Sequence, residues 1–340
     1  MSKLLLIGPC LNQKNPSHAG GIIVLFENLL QELTKKQIDY TVIDTNKSNY
    51  RNLLFAMILI YFKIFFFSLR THHISLHGTA KDYIFIAPFT VLLSKILGKS
   101  CSLRKFAGNF NSLYESSSIF KKKLIEFALK NSHYNFFETQ YLVHYFKSFN
   151  DQTYWFPNVR ERQTTISQHE FRKKFVFISQ LYKTKGIDEI LEASNLLPDD
   201  YTIDLYGPLR DTYTTDSFNH YKASYRGSLQ PNDVLKVLQE YDVLLLPTYY
   251  PGEGYPGIII EALSIGKPVI VTPLESIKEM VDESCAVFVQ AKNPQELRNA
   301  ILTLDEKNYP IYSANALKYF ESFDSDIQTE KFLNLILKEA

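Results

Sequence analysis

Two acidic residues, Glu253 and Glu261, lie eight positions apart around a turn rich in glycine and proline. The turn follows an apolar run at 243–246 that predicts a buried strand, and it precedes a helix that starts near Gly257. Because helical side chains lean toward the N-terminus, the Glu261 carboxylate points back to the mouth that Glu253 reaches from the turn. Two such carboxylates suit the hydroxyls of a sugar and a ribose. The spacing alone equally allows Glu261 to pair with a lysine or cap its helix, and Glu253 to be solvated.

The helix that follows this turn is apolar on nearly every side, so we expect it to be buried and to end at Gly266. Its first amides, at Gly257 and Ile258, lack intrahelical acceptors and carry the positive end of the helix dipole. Such amides form a site for a phosphate oxygen. A buried carboxylate costs on the order of several kcal/mol unless a partner hydrogen-bonds it, and ribose hydroxyls are such partners. The pattern therefore favours a sugar-nucleotide site.

The whole pattern resembles glycosyltransferase family 4, the retaining sugar-nucleotide enzymes of the GT-B fold. The resemblance rests first on the E-x7-E motif from Glu253 to Glu261, followed by the sequence GKPVI at 266–270. Further segments resemble the family's Lys-Gly helix start, its strand ending in glycine, its inter-domain Pro-Asn segment and its first N-terminal loop; they are residues 183–192, 205–208, 155–159 and 19–22.

Length and patterning predict two α/β domains. A chain of 340 residues exceeds the usual single core, and strand-then-helix patterns repeat in both halves. The resemblance implies two Rossmann-like domains whose parallel sheets face a central cleft. We expect an acceptor-binding domain at 1–160, a sugar-nucleotide domain at 161–320, and a helix at 321–340 that can pack back toward the first domain. Expected strands lie near 3–8, 40–44, 74–77, 100–103, 135–139, 175–179, 202–206, 224–227, 243–246, 269–272 and 287–289.

The resemblance also implies site roles. Lys185 matches the family's diphosphate lysine, with Lys183 beside it as an alternative, while Glu253 would hold donor-sugar hydroxyls and Glu261 the ribose. Asn109 stands in the neighbourhood of a family histidine near the donor sugar, so the expected catalytic set is Glu253, Lys185 and Asn109. The expected donor-binding residues are Gly20, Gly21, Gln180, Lys183, Gly207, Gly254, Tyr255, Pro256, Gly257, Ile258 and Glu261.

One departure from the family pattern concerns charge. Ser179-Gln180 stands where the family usually has Gly-Arg, so the second diphosphate cation is missing. Three outcomes are open: Lys183 replaces the arginine, a basic residue of the first domain does, or catalysis is weak.

Three residues at strand ends in the first half are candidate acceptor or phosphate contacts. Arg104 and Lys105 follow the strand at 100–103, where they could help from across the cleft. His77 ends another strand and is a rival to Asn109, although a lone histidine in such a position is more often structural.

Metal and disulfide chemistry are not indicated. The three cysteines are widely spaced, and the one D-x-D sequence, at 324–326, fits a helix cap. We expect no essential metal and no cofactor beyond the nucleoside-diphosphate sugar as co-substrate. The chain enters a strand at once, without the features of a signal peptide, which favours a cytoplasmic location.

Charge is divided unevenly along the chain. Residues 1–150 hold 18 Lys and Arg against 8 Asp and Glu, whereas residues 151–340 hold 19 against 28. A basic first domain favours an anionic partner, which could be a membrane surface or an anionic acceptor. In the first case the protein would bind peripherally to the inner face of the cell membrane. Nucleic acid ranks lower, because no recognition motif accompanies the basic residues.

Residues 53–69 form the most apolar stretch, yet they number 17 and include Lys63, short of the ~20 apolar residues that a membrane span needs. We expect a core helix packed on the first sheet for most of its surface, with contact to a membrane surface as the alternative.

The expected function is that of a retaining glycosyltransferase of the hexosyltransferase type. It would move a sugar from a nucleoside diphosphate to a glycan or lipid-linked glycan acceptor in surface polysaccharide synthesis, such as lipopolysaccharide or capsule. A GT-B epimerase and a non-catalytic sugar-nucleotide-binding partner of another transferase are the alternatives.

Overall fold

The chain folds into two compact units. The computed structural model describes residues 4–12, 21–106, 108–164 and 170–337. The first unit comprises Met1–Val159 and Ser325–Ala340, and the second comprises Arg160–Asp324. Each unit contains a six-stranded sheet with helices, and the described strand pairs are parallel. The predicted α/β class is therefore confirmed.

The first sheet has the strand order β2-β1-β3-β4-β5-β6. Its strands are Leu4–Gly8 (β1), Tyr40–Asp44 (β2), His73–Gly78 (β3), Ser100–Lys105 (β4), Tyr134–Phe137 (β5) and Thr153–Trp155 (β6). Five of them were predicted from apolar runs. The strand β6 was not predicted, because it has only three residues and lies close to Pro157, and so short a run shows no recognisable alternation.

Helices cover both faces of this sheet. They are Gly21–Lys35 (α1), Leu53–Ser68 (α2), Ala80–Ile96 (α3), Phe110–Ser116 (α4), Ile119–Asn131 (α5) and Gln140–Phe146 (α6), together with the last helix of the chain, Ser325–Ile336 (α13). Alternate residues of β1 enter two separate cores, as the pleat of a strand requires. Leu5 and Ile7 join the core beneath α2, α3 and α5, whereas Leu4 and Leu6 join the core beneath α1 and α13.

The helix α2 is mostly uncovered. It buries only the narrow stripe Ala56, Ile60, Ile64 and Ser68. Its large apolar side chains are 39–72% exposed at Leu53, Leu54, Phe55, Ile58, Phe62, Phe65 and Phe66, and the neighbouring Leu69 is also exposed. The expectation of core packing for most of this surface is wrong, because α2 packs on β2 and α3 along one narrow stripe and leaves its opposite face uncovered. Among the helices that the structure describes, none is both long and apolar enough to cross a membrane.

The second sheet has the strand order β12-β11-β10-β7-β8-β9. Its strands are Lys174–Ile178 (β7), Thr202–Tyr206 (β8), Ser224–Tyr225 (β9), Val243–Leu246 (β10), Val269–Val271 (β11) and Ala286–Phe288 (β12). The chain winds outward to one side from β7 through β9 and to the other side from β10 through β12. The order therefore reverses between β7 and β10, which lie side by side.

The second unit's helices are Ile187–Asn195 (α7), Val234–Leu238 (α8), Gly257–Ser264 (α9), Glu275–Lys278 (α10), Pro294–Thr303 (α11) and Tyr309–Phe320 (α12). The predicted buried helix after the Gly/Pro turn is α9, in which five of the eight side chains are buried. Gly266 follows it with φ of 70°, as expected of a residue that ends a helix.

Candidate functional site

The reversal between β7 and β10 positions two loops side by side. In open parallel sheets, ligands bind outside the carboxyl ends of the strands at such a switch point. Here the loop after β7 leads into α7 and the loop after β10 leads into α9. The two loops are tied together, because the amide of Tyr249 donates to the carbonyl of Thr184 at 2.8 Å. At Gly186 the backbones approach so closely that a Cβ would collide with the carbonyl oxygen of Pro247.

An ion pair joins the two loops at this point. Lys185, at the end of a 3-10 turn, donates through Nζ to Oε2 of Glu253. Their side chains are only 13% and 10% exposed. The hydroxyl of Thr248 also donates to Glu253 Oε2, at 2.9 Å, and the Lys185 ammonium lies 5.4 Å from the ring centroid of Tyr250. The two residues expected to hold the diphosphate and the donor sugar are therefore held together in one sheltered place.

Glu261 is paired with an arginine. Its Oε1 accepts from Nε of Arg160 at 2.7 Å, and the two side chains keep 18% and 19% exposure. Arg160 is fixed by its backbone, whose amide donates to the carbonyl of Phe323 at 3.0 Å. The sequence offered a lysine or a ribose as the partner of this carboxylate. It did not point to Arg160, which is 101 positions away from Glu261.

The N-terminus of α9 lacks a side-chain cap. Pro256 occupies the N-cap position without a capping hydrogen bond, and the first turn contains no acidic residue. The amide of Ile259 bonds to the Pro256 carbonyl at 3.1 Å. The amides of Gly257 and Ile258 have no intrahelical acceptor, as at the start of any helix. Gly254 and Tyr255 precede them in the same turn, and Tyr255 is buried against Phe323.

The loop after β8 lies against the loop after β7. Gly207 has φ of 140°, and its position is so tight that a Cβ would collide with the carbonyl oxygen of Ser179. The amide of Leu181 donates to the carbonyl of Pro208 at 3.0 Å. The side chain of Gln180 accepts a hydrogen bond from Nε of Arg210 at 3.0 Å. Sequence reasoning did not single out Arg210, although it follows the Gly207-Pro208 pair closely.

Lys183 is held differently from Lys185. Its ammonium lies 3.2 Å from Oδ2 of Asp188 on α7, and its side chain is 69% exposed. Its backbone amide donates to Asp211 at 2.8 Å. The structure thus separates the two lysines that the sequence left as alternatives: Lys183 is a surface residue, and Lys185 is sheltered beside Glu253.

Replacing Gly207 with alanine is expected to lower the free energy of unfolding by at least about 2 kcal/mol more than replacing Gly227. Both glycines have positive φ, of 140° and 90°. Only at Gly207 would a Cβ collide with backbone, whereas at Gly227 no atom of the described residues lies within 4 Å of it. The difference between the two variants in urea unfolding therefore isolates the collision. Equal losses would contradict this assignment.

The candidate contacts in the first unit are buried. His77 is 0% exposed and lies among Phe26, Phe106 and Phe332, and burial lowers the pKa of its ring well below the usual value, so the ring is neutral. Its Nε2 lies 2.9 Å from the hydroxyl of Ser75. A role for His77 with a ligand stays a prediction, and it would require these rings to move.

The two basic residues at the end of β4 are also buried. The guanidinium of Arg104 lies 3.5 Å from the ring centroid of Phe156 and donates to the carbonyl of Pro157 at 3.0 Å. Burial lowers the pKa of Arg104 to about 9 and that of Lys105 to about 8. Lys105 donates to the carbonyl of Phe106. Their contact with an acceptor or phosphate stays a prediction, and neither side chain reaches the surface of the protein.

Asn109 and Gly21 have accessible positions. Asn109 is exposed just before α4 and makes no capping hydrogen bond there. Gly21 starts α1, and the predicted donor residue Gly20 lies outside the described residues.

A cavity of about 420 Å³ lies at the carboxyl ends of β1, β2 and β3. The order of the first sheet reverses between β1 and β3, so this cavity also occupies a switch point. Its volume is in the range of sites for small molecules. The sequence did not predict it, because its walls come from four separate segments. They include Pro9, Gly21, Thr45, Asn46, Thr79 and Asp82.

Across 4–12, 21–106, 108–164 and 170–337, no three His, Cys, Asp or Glu side chains are grouped so that they could hold a metal ion.

Part of the second unit matches a known protein family. Residues 172–307 match the family described as "Glycosyl transferases group 1". The Lys185–Glu253 pair, Glu261 and the N-terminus of α9 all lie within these residues.

Each of two curated relatives matches less than half of the chain. An N,N'-diacetylbacillosaminyl-diphospho-undecaprenol alpha-1,3-N-acetylgalactosaminyltransferase of Campylobacter jejuni is 27% identical over 157 residues, which is 44% of this chain and 41% of the relative. A putative teichuronic acid biosynthesis glycosyltransferase, TuaC of Bacillus subtilis, is 29% identical over 128 residues, 37% of this chain and 31% of the relative. The matches therefore span less than half the length of these relatives.

Solved structures resemble the whole chain. HepE of Anabaena in complex with UDP superposes with a TM-score of 0.74 at 14% identity, covering 98% of this chain and 99% of HepE. The apo form of the lipopolysaccharide outer core galactosyltransferase WaaB gives a TM-score of 0.66 at 12% identity, covering 99% and 100%. These neighbours show the fold, and the predicted GT-B fold is confirmed.

Proposed function

We propose that this protein is a retaining glycosyltransferase that moves a sugar from a nucleoside-diphosphate sugar to a glycan or lipid-linked glycan. The observation that carries the proposal is the sheltered Lys185–Glu253 pair at the switch point of the second sheet. A cation for a diphosphate and a carboxylate for sugar hydroxyls are the two groups that such a donor requires. The proposal of retention rests on the family resemblance of the E-x7-E motif.

The pair would separate when the donor binds. Lys185 would turn from Glu253 to the diphosphate, whose negative charge grows as the bond to the sugar breaks, and Glu253 would accept from sugar hydroxyls. The amides of Gly257 and Ile258 would receive phosphate oxygens at the start of α9. Glu261, with its remaining exposure, would accept from the ribose hydroxyls. Every donor group would thus find a partner of complementary charge or hydrogen bonding.

UDP is the first nucleotide to test, since the HepE neighbour was solved with UDP. The acceptor class is supported by the Campylobacter relative, whose name specifies a diphospho-undecaprenol acceptor. We propose that the acceptor binds the first unit at the cavity beside α1. The setting would be the synthesis of a surface polysaccharide such as lipopolysaccharide or capsule.

Titration of the purified protein with UDP-, GDP- and ADP-sugars tests the donor class. We expect one of them to be turned over and to raise the melting temperature. At a concentration of 100 times its Kd, this donor should stabilise the folded protein by about 2.7 kcal/mol. Stabilisation by none of the three would contradict the proposal.

The same titration separates the alternative functions. Binding without transfer or hydrolysis for any donor would favour the non-catalytic binding partner. Conversion of the sugar nucleotide into its epimer without an acceptor would favour the epimerase.

We also propose that α2 binds the surface of an anionic membrane, so that the enzyme meets a lipid-linked acceptor there. The exposed side chains at 55, 58, 62, 65, 66 and 69 recur at helical spacing and share one face. Exposed apolar groups of this number mark an interaction site. Residues 45–81 contain no acidic residue, whereas Lys47, Arg51, Lys63, Arg70 and Lys81 are basic. This combination of apolar face and positive charge fits an anionic bilayer better than a second protein.

A further inference from the structure

The loop after β8 places an arginine, Arg210, beside Gln180 in the loop after β7. Gln180 occupies the position at which the family pattern has an arginine. Gln180 follows β7 and Arg210 follows β8, and the two side chains are joined by the 3.0 Å hydrogen bond from Arg210 Nε. A bridge between Leu181 and Leu209 fixes the register of the two loops beside this bond. Both side chains are exposed at the carboxyl edge of the sheet, where ligands of such sheets bind.

The diphosphate of a sugar nucleotide carries more negative charge than the single ammonium of Lys185 can neutralise. Gln180 stands where the family pattern has an arginine, and its amide carries no charge. Lys183, the nearest alternative, is engaged by Asp188 on α7 at 3.2 Å. Its ammonium is therefore drawn toward α7, and its side chain is 69% exposed.

Arg210 has the required chemistry. Its Nε binds Gln180 and its Nη1 donates to the carbonyl of Leu209 at 3.2 Å. A guanidinium carries five N–H groups, so these two bonds leave donors for a phosphate. Within the described part of the chain, no carboxylate is paired with Arg210. Gln180 is a suitable holder, because its Oε1 orients the guanidinium without neutralising it.

We infer that Arg210 supplies the second cation for the diphosphate of the donor and that Gln180 is its positioning residue. The inference rests on the proposed function. The positive charge expected at 180 would then be retained in the site but carried by the neighbouring loop.

Calorimetric titration with UDP, UMP and uridine tests this inference. Because a charged hydrogen bond to phosphate is lost, Arg210→Ala is expected to weaken UDP binding by about 10- to 100-fold. The affinity of Arg210→Ala for uridine should stay within about twofold of the wild-type value, since uridine has no phosphate for Arg210 to contact. Arg210→Lys, which keeps the charge, should retain most of the UDP affinity, and Lys236→Ala on α8 controls for the loss of one exposed charge.

Two further variants test the role of Gln180. Gln180→Ala should weaken UDP binding in the wild-type background and have no further effect in Arg210→Ala, because it acts only through Arg210. Gln180→Arg should restore UDP affinity to Arg210→Ala by returning the charge to the first loop. A merely structural role for either side chain would not produce this rescue.

The outcomes separate this inference from the proposed function. If the wild-type protein binds UDP and Arg210→Ala binds it equally well, the inference is overturned while the function stands. An equal loss of uridine and UDP affinity would also overturn it, since the defect would not lie at the phosphates. If the wild-type protein binds no UDP, the titration is repeated with GDP and ADP, and failure of all three contradicts the proposed function itself.

Discussion

Replacing Lys185 with alanine is expected to lower kcat by roughly 10²- to 10³-fold, the effect of removing one preorganised donor from developing charge. The Lys185 side chain is 13% exposed and its ammonium pairs with Glu253, where little water competes with it for a phosphate. Its charge is needed most when the nucleoside diphosphate leaves. The fall should therefore appear in kcat more than in KM for the donor, measured by release of the nucleotide.

Lys183→Ala is the matched control for this prediction. Both lysines belong to one 3-10 turn, but Lys183 is 69% exposed and paired with Asp188. Its removal should change kcat by less than about threefold, as expected for an exposed ion pair. Equal effects of the two substitutions would show that the turn, rather than the sheltered ammonium, matters.

Loss of folding has to be separated from loss of chemistry. Lys185→Ala leaves the 10% exposed Glu253 without its cation, and an unpaired sheltered charge destabilises the fold. The variant Lys185→Ala/Glu253→Gln removes both charges and should recover the melting temperature without recovering turnover. Recovery of turnover together with stability would contradict the catalytic role of Lys185.

Much of the fold could be predicted because its signals are local. Short runs with strand patterning located the strands of the second sheet, and the Gly/Pro turn followed by an apolar run located α9. Gly207 was singled out because the strand that it ends resembles the family pattern. The structure adds the physical reason, since a Cβ at this position would collide with the carbonyl oxygen of Ser179.

The partners in the site could not be predicted in the same way, because they depend on distant segments. Glu261 meets Arg160 across 101 positions, and Gln180 meets Arg210 across 30. Spacing along the chain carries no signal for such pairs. Nor could composition show how deeply Arg104 is buried, since a residue at the end of a strand is exposed or enclosed according to what packs over it.

The exposure of α2 belongs to the same class of problem. A helix that is apolar all round is expected to be buried. The sequence does not show that β2 and α3 cover only the stripe of Ala56, Ile60 and Ile64. The remaining apolar face then requires another partner. The adjoining guanidinium of Arg70, 4.7 Å from the ring centroid of Phe66, adds a positive charge beside that face.

Phe62→Glu/Phe66→Glu is expected to weaken binding to vesicles of anionic lipid by roughly 100- to 1,000-fold. Removal of the two partly exposed rings forfeits about 2 kcal/mol of free energy from their transfer out of water. Each new carboxylate costs about 1 kcal/mol more near a negatively charged surface. Binding is measured by co-sedimentation at low salt with vesicles of phosphatidylglycerol and phosphatidylcholine. Vesicles of phosphatidylcholine alone should bind the wild-type protein more weakly, because the basic residues then have no counter-charge.

The matched control introduces the same two charges in the second unit, at Leu196 and Ile311, which are 47% and 62% exposed. Leu196→Glu/Ile311→Glu should bind vesicles about as well as the wild-type protein, because these residues lie far from α2 in the chain and belong to the other unit. Sedimentation velocity without lipid provides the second readout. A wild-type dimer that the α2 substitutions convert to monomer, together with no vesicle binding, would assign this face to a second copy of the chain and refute the membrane proposal.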